Sequence, residues 1–324
     1  QSVEIRYYYC INNFKKLFKY EKIKNITLGD KITSIPNSAF GGCKALVSIY
    51  YGNITSIGSS AFFNCISLKS INIPESVTSI GQNAFSSCSN LTKITIPDNV
   101  TSIGIDAFYK CSKLESINVG ENNANFKSIN DVFFLKDGSS LIRYPPGKKD
   151  TNYSIPTSVT TIKNNAFYQC NYLESIIIPD GVTNIGNYSF YECNSLKNIF
   201  IPDSLIMIGN DALSNCYSMT FIEASENNPN YASFNEILYN KDFTNIIQVP
   251  SGINGNVTLH ENLEEIKRYA FYRCENMTSV VIPNKVSQIL YSAFNGCHNL
   301  TSVNIPNNVI SIGEYAFYEC YSIK

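Results

Sequence analysis

Ten of the eleven cysteines recur at a fixed spacing, and this spacing constrains the fold more than any other feature. Most gaps between them are 22 or 23 residues, and two are 59 and 58; the positions are Cys43, Cys65, Cys88, Cys111, Cys170, Cys193, Cys216, Cys274, Cys297 and Cys320. A phenylalanine stands three residues before each cysteine, except that Leu213 precedes Cys216. Such a period is typical of repeat proteins, in which each unit packs against its neighbours.

The residues between the cysteines follow one pattern, C-x-x-L-x-x-I-x-I-P-x-x-V-x-x-I-G-x-x-A-F-x-x. The L-x-x-I-x-I segment ends in alternation of period 2, which predicts a short strand with alternate side chains inward. Proline ends that strand because it cannot donate to the ladder. The V-x-x-I-G segment predicts a second inward-facing segment, and the adjacent Ala and Phe suit one short helical turn. The sequence therefore predicts a repeat solenoid that is mostly β with short helical turns.

The two long gaps contain related segments. "ENNANFKSINDVFFLKDGSSLIRYPPG" begins at 121 and "ENNPNYASFNEILYNKDFTNIIQVPSG" begins at 226. Each has two apolar runs around a polar turn, at 136–138 and 241–243, which predicts an inserted β-hairpin. We therefore expect a single solenoid domain over 1–324. Its expected parts are a possible N-terminal cap at 1–20, coils at about 21–118, 152–223 and 257–324, and hairpin insertions at about 119–151 and 224–256.

These motifs resemble the BspA-like, or Treponema-type, leucine-rich repeats. The stretch "LTKITIPDNVTSIGIDAFYKC" (residues 91–111) and its counterparts carry the likeness over nearly the whole chain. The resemblance implies a right-handed leucine-rich-repeat superhelix and a cell-surface or secreted protein that works in adhesion or partner recognition; it implies no catalytic residues. The sequence departs from the pattern in some coils: Gly29 and Gly52 replace the proline, and Pro36, Lys163, Lys267 and Leu290 replace the glycine.

Composition and charge exclude some classes of partner. With 25 basic and 26 acidic residues the formal net charge is −1, and no basic cluster predicts a nucleic-acid partner. No apolar run reaches the length of about 18 residues that a membrane span needs. The C-terminus stops where another coil would begin, so we expect the natural protein to continue.

Cysteine and histidine are the candidates for chemistry. Stacked coils would place the ten cysteines in a file of buried, inert thiols; a disulfide or metal role stays as the alternative, and Cys10 stands outside the file. The spacing matches no zinc motif. His260 and His298, the only histidines, are expected on the surface. We therefore predict no catalytic residue, no metal and no cofactor.

The outward face of the strands carries the binding prediction. Most outward positions are small and polar, but four are apolar: Ile177, Phe200, Phe221 and Val281. Because clustered exposed apolar groups suggest a contact site, we predict that these four bind a protein partner; scattered exposure, or cover by the hairpins, is the alternative. A second stripe, which we expect to cover the edge of the core, consists of Tyr109, Tyr168, Tyr191, Tyr272 and Tyr318.

The sequence thus predicts a non-enzymatic protein-binding module. The alternative is a structural stalk or spacer within a larger surface protein, with no ligand of its own. The partner, the oligomeric state and the glycosylation of the N-x-[ST] sites stay open.

Overall fold

The computed structural model describes residues 2–5 and 22–324. The fold is a β-solenoid of about 13 turns with coils of about 23 residues, as the spacing predicts. The chain divides into two compact units, Gln1–Lys149 with Ile162–Cys170, and Asp150–Thr161 with Asn171–Lys324. Residues 6–20 of the predicted cap, including Cys10, lie outside the described residues.

Parallel strands stack in two files in the first unit, and we call the two kinds primary and secondary strands. The primary strands are β1 (Ser2–Ile5), β2 (Asn25–Leu28), β4 (Ser48–Tyr50), β6 (Ser70–Ile71), β8 (Lys93–Ile96) and β10 (Ser116–Val119). The secondary strands, which come from the V-x-x-I-G segments, are β3 (Ser34–Ile35), β5 (Ser56–Ile57), β7 (Ser79–Ile80) and β9 (Ser102–Ile103). Equivalent residues of successive coils pair, as Ile71, Ile94 and Ile117 do.

The second unit has the same two files. Its primary strands are β14 (Asn152–Ser154), β16 (Ser175–Ile177), β18 (Asn198–Ile201), β20 (Phe221–Ala224), β24 (Gly255–Thr258), β26 (Met277–Val281) and β28 (Ser302–Asn304). Its secondary strands are β17 (Asn184–Ile185), β19 (Met207–Ile208), β25 (Glu265–Ile266), β27 (Gln288–Ile289) and β29 (Ser311–Ile312). Strand β15 (Thr161–Ile162) has one residue in each unit.

Each long gap forms three antiparallel strands. The first insertion consists of β11 (Phe126–Ile129), β12 (Val132–Leu135) and β13 (Ser140–Arg143), and the second of β21 (Tyr231–Phe234), β22 (Ile237–Asn240) and β23 (Ile246–Gln248). The last two strands of each insertion flank the predicted polar turn. The strand before them was not predicted, because "NFKSI" and "NYASF" alternate only weakly.

The expectation of short helical turns is wrong: the residues that the structure describes contain no α-helix. Two residues before each repeat cysteine have positive φ: the residue five positions before it and the residue directly before it. For Cys88 these are Asn83 (54°) and Ser87 (63°). This left-handed backbone turns alternate N–H groups toward the next coil, so that Phe85 N donates to the carbonyl of Ala107 over 2.9 Å. An α-helix would need those N–H groups for its own ladder.

Buried apolar side chains form one continuous cluster from Ile5 to Phe133 in the first unit and another from Ile237 to Ala316 in the second. Phenylalanine rings stack from coil to coil, with centroids 5.4 Å apart for Phe62 and Phe85 and 4.7 Å apart for Phe271 and Phe294. The repeat cysteines beside them are thiols, nine of them buried and Cys320 half-buried. A coil therefore depends on both neighbours for the burial of its apolar side chains.

Candidate protein-binding surface

The outward positions of the primary strands expose apolar side chains in the second unit. Ile177 is 64% exposed, Phe200 45% and Phe221 38%. Strand alternation causes this, because the neighbouring isoleucines at 176, 199 and 222 point inward and are buried. Side chains of this size are costly to leave in water, so their exposure calls for an explanation.

Strand register brings three of the four predicted residues together. Phe221 of β20 pairs with Asn198 of β18, so it lies diagonally beside Phe200 on the same face. Diagonal neighbours of this kind are roughly 7–8 Å apart, within reach for aromatic side chains. Ile177 ends β16, the strand that contacts β18. We call Ile177, Phe200 and Phe221 the apolar cluster.

Val281 lies apart from the apolar cluster. It is 44% exposed and pairs with Thr258 of β24 on one side and Asn304 of β28 on the other. The second insertion lies between β20 and β24 in the chain, and Ile222 N donates to the carbonyl of Glu236 in that insertion. With strands about 4.8 Å apart, Val281 is roughly 20 Å from Phe200.

Polar groups border the apolar cluster. Asn152 accepts a hydrogen bond from the hydroxyl of Ser175, and the ammonium of Lys197 pairs with the carboxylate of Glu174. Both charged groups are exposed, so their pairing adds little stability. An apolar centre with a polar rim is the usual arrangement of a protein-binding patch.

Further exposed apolar side chains were missed from the sequence. On the secondary-strand side Ile206 is 60% and Met207 52% exposed, and Ile310 is 81% exposed. Thr or Ser fills these positions in many coils, and the threonine hydroxyls bond to the preceding coil, as from Thr101 to the carbonyl of Thr78. The replacement of Thr-Ser by Ile-Met at 206–207 is the signal that could have revealed this second patch.

Cys88 and Cys111 of the core are poorly reactive thiols. Burial, reinforced by the neighbouring thiols, raises the pKa of Cys88 well above its ordinary value, and burial raises that of Cys111 to about 12. Thiols with such pKa values stay protonated at neutral pH and are poor nucleophiles and ligands. Within residues 2–5 and 22–324, no three His, Cys, Asp or Glu side chains are grouped to hold a metal ion.

The histidines are less exposed than expected. His260 is half-buried, and its ring stacks on Phe243 with centroids 4.0 Å apart. Its Nδ1 accepts a hydrogen bond from the backbone N–H of Asn262 over 3.1 Å. His298 is also half-buried and stacks on Tyr321. His260 thus packs against Phe243 of the second insertion, a contact that the repeat pattern does not predict.

The parallel files of short strands and the stacked coils define a leucine-rich-repeat solenoid. The family model for the BspA type leucine rich repeat region (6 copies) matches residues 14–137, 147–254 and 251–324. The chain belongs to this family. Among the described residues no helix is both long and apolar enough to cross a membrane.

Solved structures of bacterial leucine-rich repeat proteins are similar. One from Eubacterium ventriosum is 25% identical with a TM-score of 0.71, over 98% of this chain and 90% of that one. One from Bacteroides ovatus is 24% identical with a TM-score of 0.51, over 94% and 78%. The pneumococcal vaccine antigen PcpA is 20% identical with a TM-score of 0.51, over 90% and 74%. The proteins from Bacteroides ovatus and pneumococcus show a likeness of fold alone. No protein with a curated description matches the chain.

Proposed function

We propose that this chain is a protein-binding module, displayed on a cell surface or secreted, that recognises a protein partner through the apolar cluster. The exposure of Ile177, Phe200 and Phe221 side by side on one strand face is the observation that carries the proposal. Val281 belongs to the same proposed contact only for a partner long enough to cross the second insertion.

Physical reasons favour a protein partner over other ligands. The three side chains are exposed side by side on a strand face, which suits contact with the surface of another protein. A few large apolar side chains within a polar rim carry most of the binding energy in protein interfaces. The formal net charge of −1 gives no attraction to a polyanion.

Membership of the family and the descriptions of its relatives support the proposed surface location. PcpA is described as a pneumococcal vaccine antigen, and this description supports an exposed location. For this chain we propose the same exposure, and adhesion to a host or neighbouring cell as the role. A stalk that only spaces another domain from the cell would bind nothing itself.

Surface plasmon resonance with purified host matrix proteins tests the proposal. The double variant Phe200→Ser, Phe221→Ser should bind at least about tenfold more weakly than the unchanged chain, since two interface anchors are lost. Tyr50→Ser is the matched control, because Tyr50 is 64% exposed at the equivalent outward position of β4 in the first unit. Binding that the double variant retains in full would refute the apolar cluster as the contact. No binding by the unchanged chain would favour the stalk.

A further inference from the structure

The two insertions differ in how closely the coil before the insertion contacts the coil after it. At the first insertion the rings of Tyr109 and Tyr168 lie with centroids 4.6 Å apart, although the insertion separates them in sequence. The side-chain amide of Asn165 donates to the carboxylate of Asp106 over 2.8 Å. These contacts join the coil before the first insertion directly to the coil after it.

Arg143 completes this closure. It is 4% exposed, and its guanidinium donates to the backbone carbonyls of Asn165 and Tyr168. One side chain from β13 therefore fills the space between the insertion and the following coil. The first insertion is closed by Tyr109, Arg143 and Asn165 together.

The second insertion has different residues at all three positions. In the coil before the insertion, Ser214 takes the position of Tyr109, two residues before the cysteine. In the coil after it, Tyr269 takes the position of Asn165, five residues before the cysteine. Within the insertion, Gln248 takes the position of Arg143. A cavity of about 440 Å³ lies here, and all three side chains line it. Its volume is within the range of small-ligand sites, about 300–1,000 Å³.

Tyrosine rings form two walls of the cavity. Tyr188 packs edge-on against Tyr191 with centroids 5.6 Å apart, and Tyr269 packs in the same way against Tyr272 at 5.7 Å. All four rings border the cavity. Exposed phenol rings present an apolar face and a polar tip, which suits a ligand that has both kinds of surface.

Two of these tyrosines occupy a backbone conformation that disfavours them. Tyr188 has φ 54° and Tyr269 has φ 58°, at the position five residues before the cysteine. Of the ten residues at this position seven are Ser, Asn or Asp, and Tyr315 is the third tyrosine. Asn and Asp tolerate this conformation, whereas a bulky side chain costs free energy there. Strained backbone of this kind often occurs at binding and active sites.

The polar groups of the cavity are held in place and incompletely satisfied. Ser214 Oγ lies 3.2 Å from both Asp211 Oδ1 and Gln248 Oε1. A hydroxyl has one hydrogen to donate, so one of these two acceptors is left for a ligand donor. The Gln248 amide is oriented by its donation to the carbonyl of Val249 over 2.8 Å, and Asn215 donates to Tyr191 over 2.6 Å.

We infer that this cavity is a binding site for a short saccharide. A sugar ring has a C–H face that can pack on tyrosine and a rim of hydroxyls that can donate to Asp211 or Gln248 and accept from amides. Lys267 and Arg268 also border the cavity, but both are exposed and the carboxylate of Asp211 lies in the same cavity. This charge balance does not favour a polyphosphate.

Saturation-transfer NMR with the whole chain tests the inference. The probes are lactose, sialyllactose, mannobiose and N,N′-diacetylchitobiose, and a tyrosine-containing acidic peptide is included as a competing class. The variant Tyr269→Asn removes one wall and installs the residue that the first insertion has. Because Asn suits the left-handed conformation, this variant should fold and should melt at a temperature no lower than that of the unchanged chain.

We expect at least one saccharide to bind the unchanged chain and to bind Tyr269→Asn about tenfold more weakly, as loss of a main aromatic contact predicts. The variant Ser214→Tyr should also lose binding, because the added ring fills the cavity. Phe200→Ser, in the apolar cluster, should bind the saccharide normally. No signal from any saccharide, binding of the peptide alone, or equal binding by Tyr269→Asn would overturn the inference.

Discussion

The thiol of Cys216 donates a hydrogen bond to the backbone carbonyl of Phe190 in the preceding coil, over 3.1 Å. The same carbonyl accepts from the backbone N–H of Cys193, so it serves its own coil and the next one. Equivalent bonds at 3.1–3.3 Å join the pairs Cys65–Phe40, Cys88–Phe62, Cys111–Phe85, Cys297–Phe271 and Cys320–Phe294. The repeat cysteine is thus a small apolar side chain that also donates a hydrogen bond to the preceding coil.

Removal of one thiol should therefore weaken the stack. We expect Cys88→Ala to lower the free energy of unfolding by about 1–2 kcal/mol, since it loses a buried sulfur and leaves a carbonyl with one partner fewer. Cys320→Ala, at a half-buried site, is the matched control and should cost less. Urea denaturation followed by circular dichroism measures both, and equal costs at the two sites would contradict this role.

Alkaline pH should destabilise the fold through the same thiols. Burial raises the pKa of Cys111 and of Cys274 to about 12, whereas a thiol in the unfolded chain titrates near 8.5. Below about pH 8 both states are protonated and the free energy of unfolding does not depend on these groups. Above that value only the unfolded state releases the proton, so stability falls as pH rises toward 12, by up to about 1.4 kcal/mol per pH unit for each group.

Urea denaturation at pH 7, 9 and 10 checks this dependence. Cys111→Ala has one such group fewer, so its stability should fall less steeply between pH 9 and 10 than that of the unchanged chain. Tyrosines such as Tyr239, whose pKa burial raises to about 12, add a loss of the same sign in both proteins. Parallel pH profiles for the two proteins would argue against ionisation of Cys111 as a cause.

The repeat spacing predicts the coils because each position of the repeat has one dominant physical role. Phe62 and Phe85 recur in one file since a stacked ring must lie over its counterpart, and alternation around Phe200 assigns it to the outward face. The left-handed positions were not predictable from composition, because Ser, Lys, Glu and Tyr all occupy them besides Asn and Asp. The cavity depends on which side chains meet across the second insertion, and no periodic pattern encodes that pairing.

The position four residues before each repeat cysteine is alanine in every coil but one, where it is serine. Ser189 occupies the position that Ala84 and eight other alanines hold, is fully buried, and its Oγ has no hydrogen-bond partner. An unsatisfied buried hydroxyl costs about 1–3 kcal/mol, so Ser189→Ala should raise the free energy of unfolding by about 1 kcal/mol. Thermal and urea melts measure the change. The reverse substitution Ala84→Ser should be destabilising by a similar amount, and a loss of stability in Ser189→Ala would mean that the hydroxyl has an unseen role.

At Gly209, in one of the V-x-x-I-G segments, the backbone of the preceding coil approaches closely. A Cβ at Gly209 would lie 2.4 Å from the backbone nitrogen of Asn187 and 2.6 Å from the carbonyl carbon of Gly186. Backbone atoms cannot move aside without disturbing the stack, so we expect Gly209→Ala to lower the free energy of unfolding by about 3 kcal/mol. Gly181→Ala is the matched control, because its nearest neighbour would be the carbonyl oxygen of Thr157 at 3.3 Å. Urea denaturation should show a change of at most about 0.5 kcal/mol for the control, as for an ordinary surface substitution. If the two variants were equally stable, steric approach would not explain Gly209.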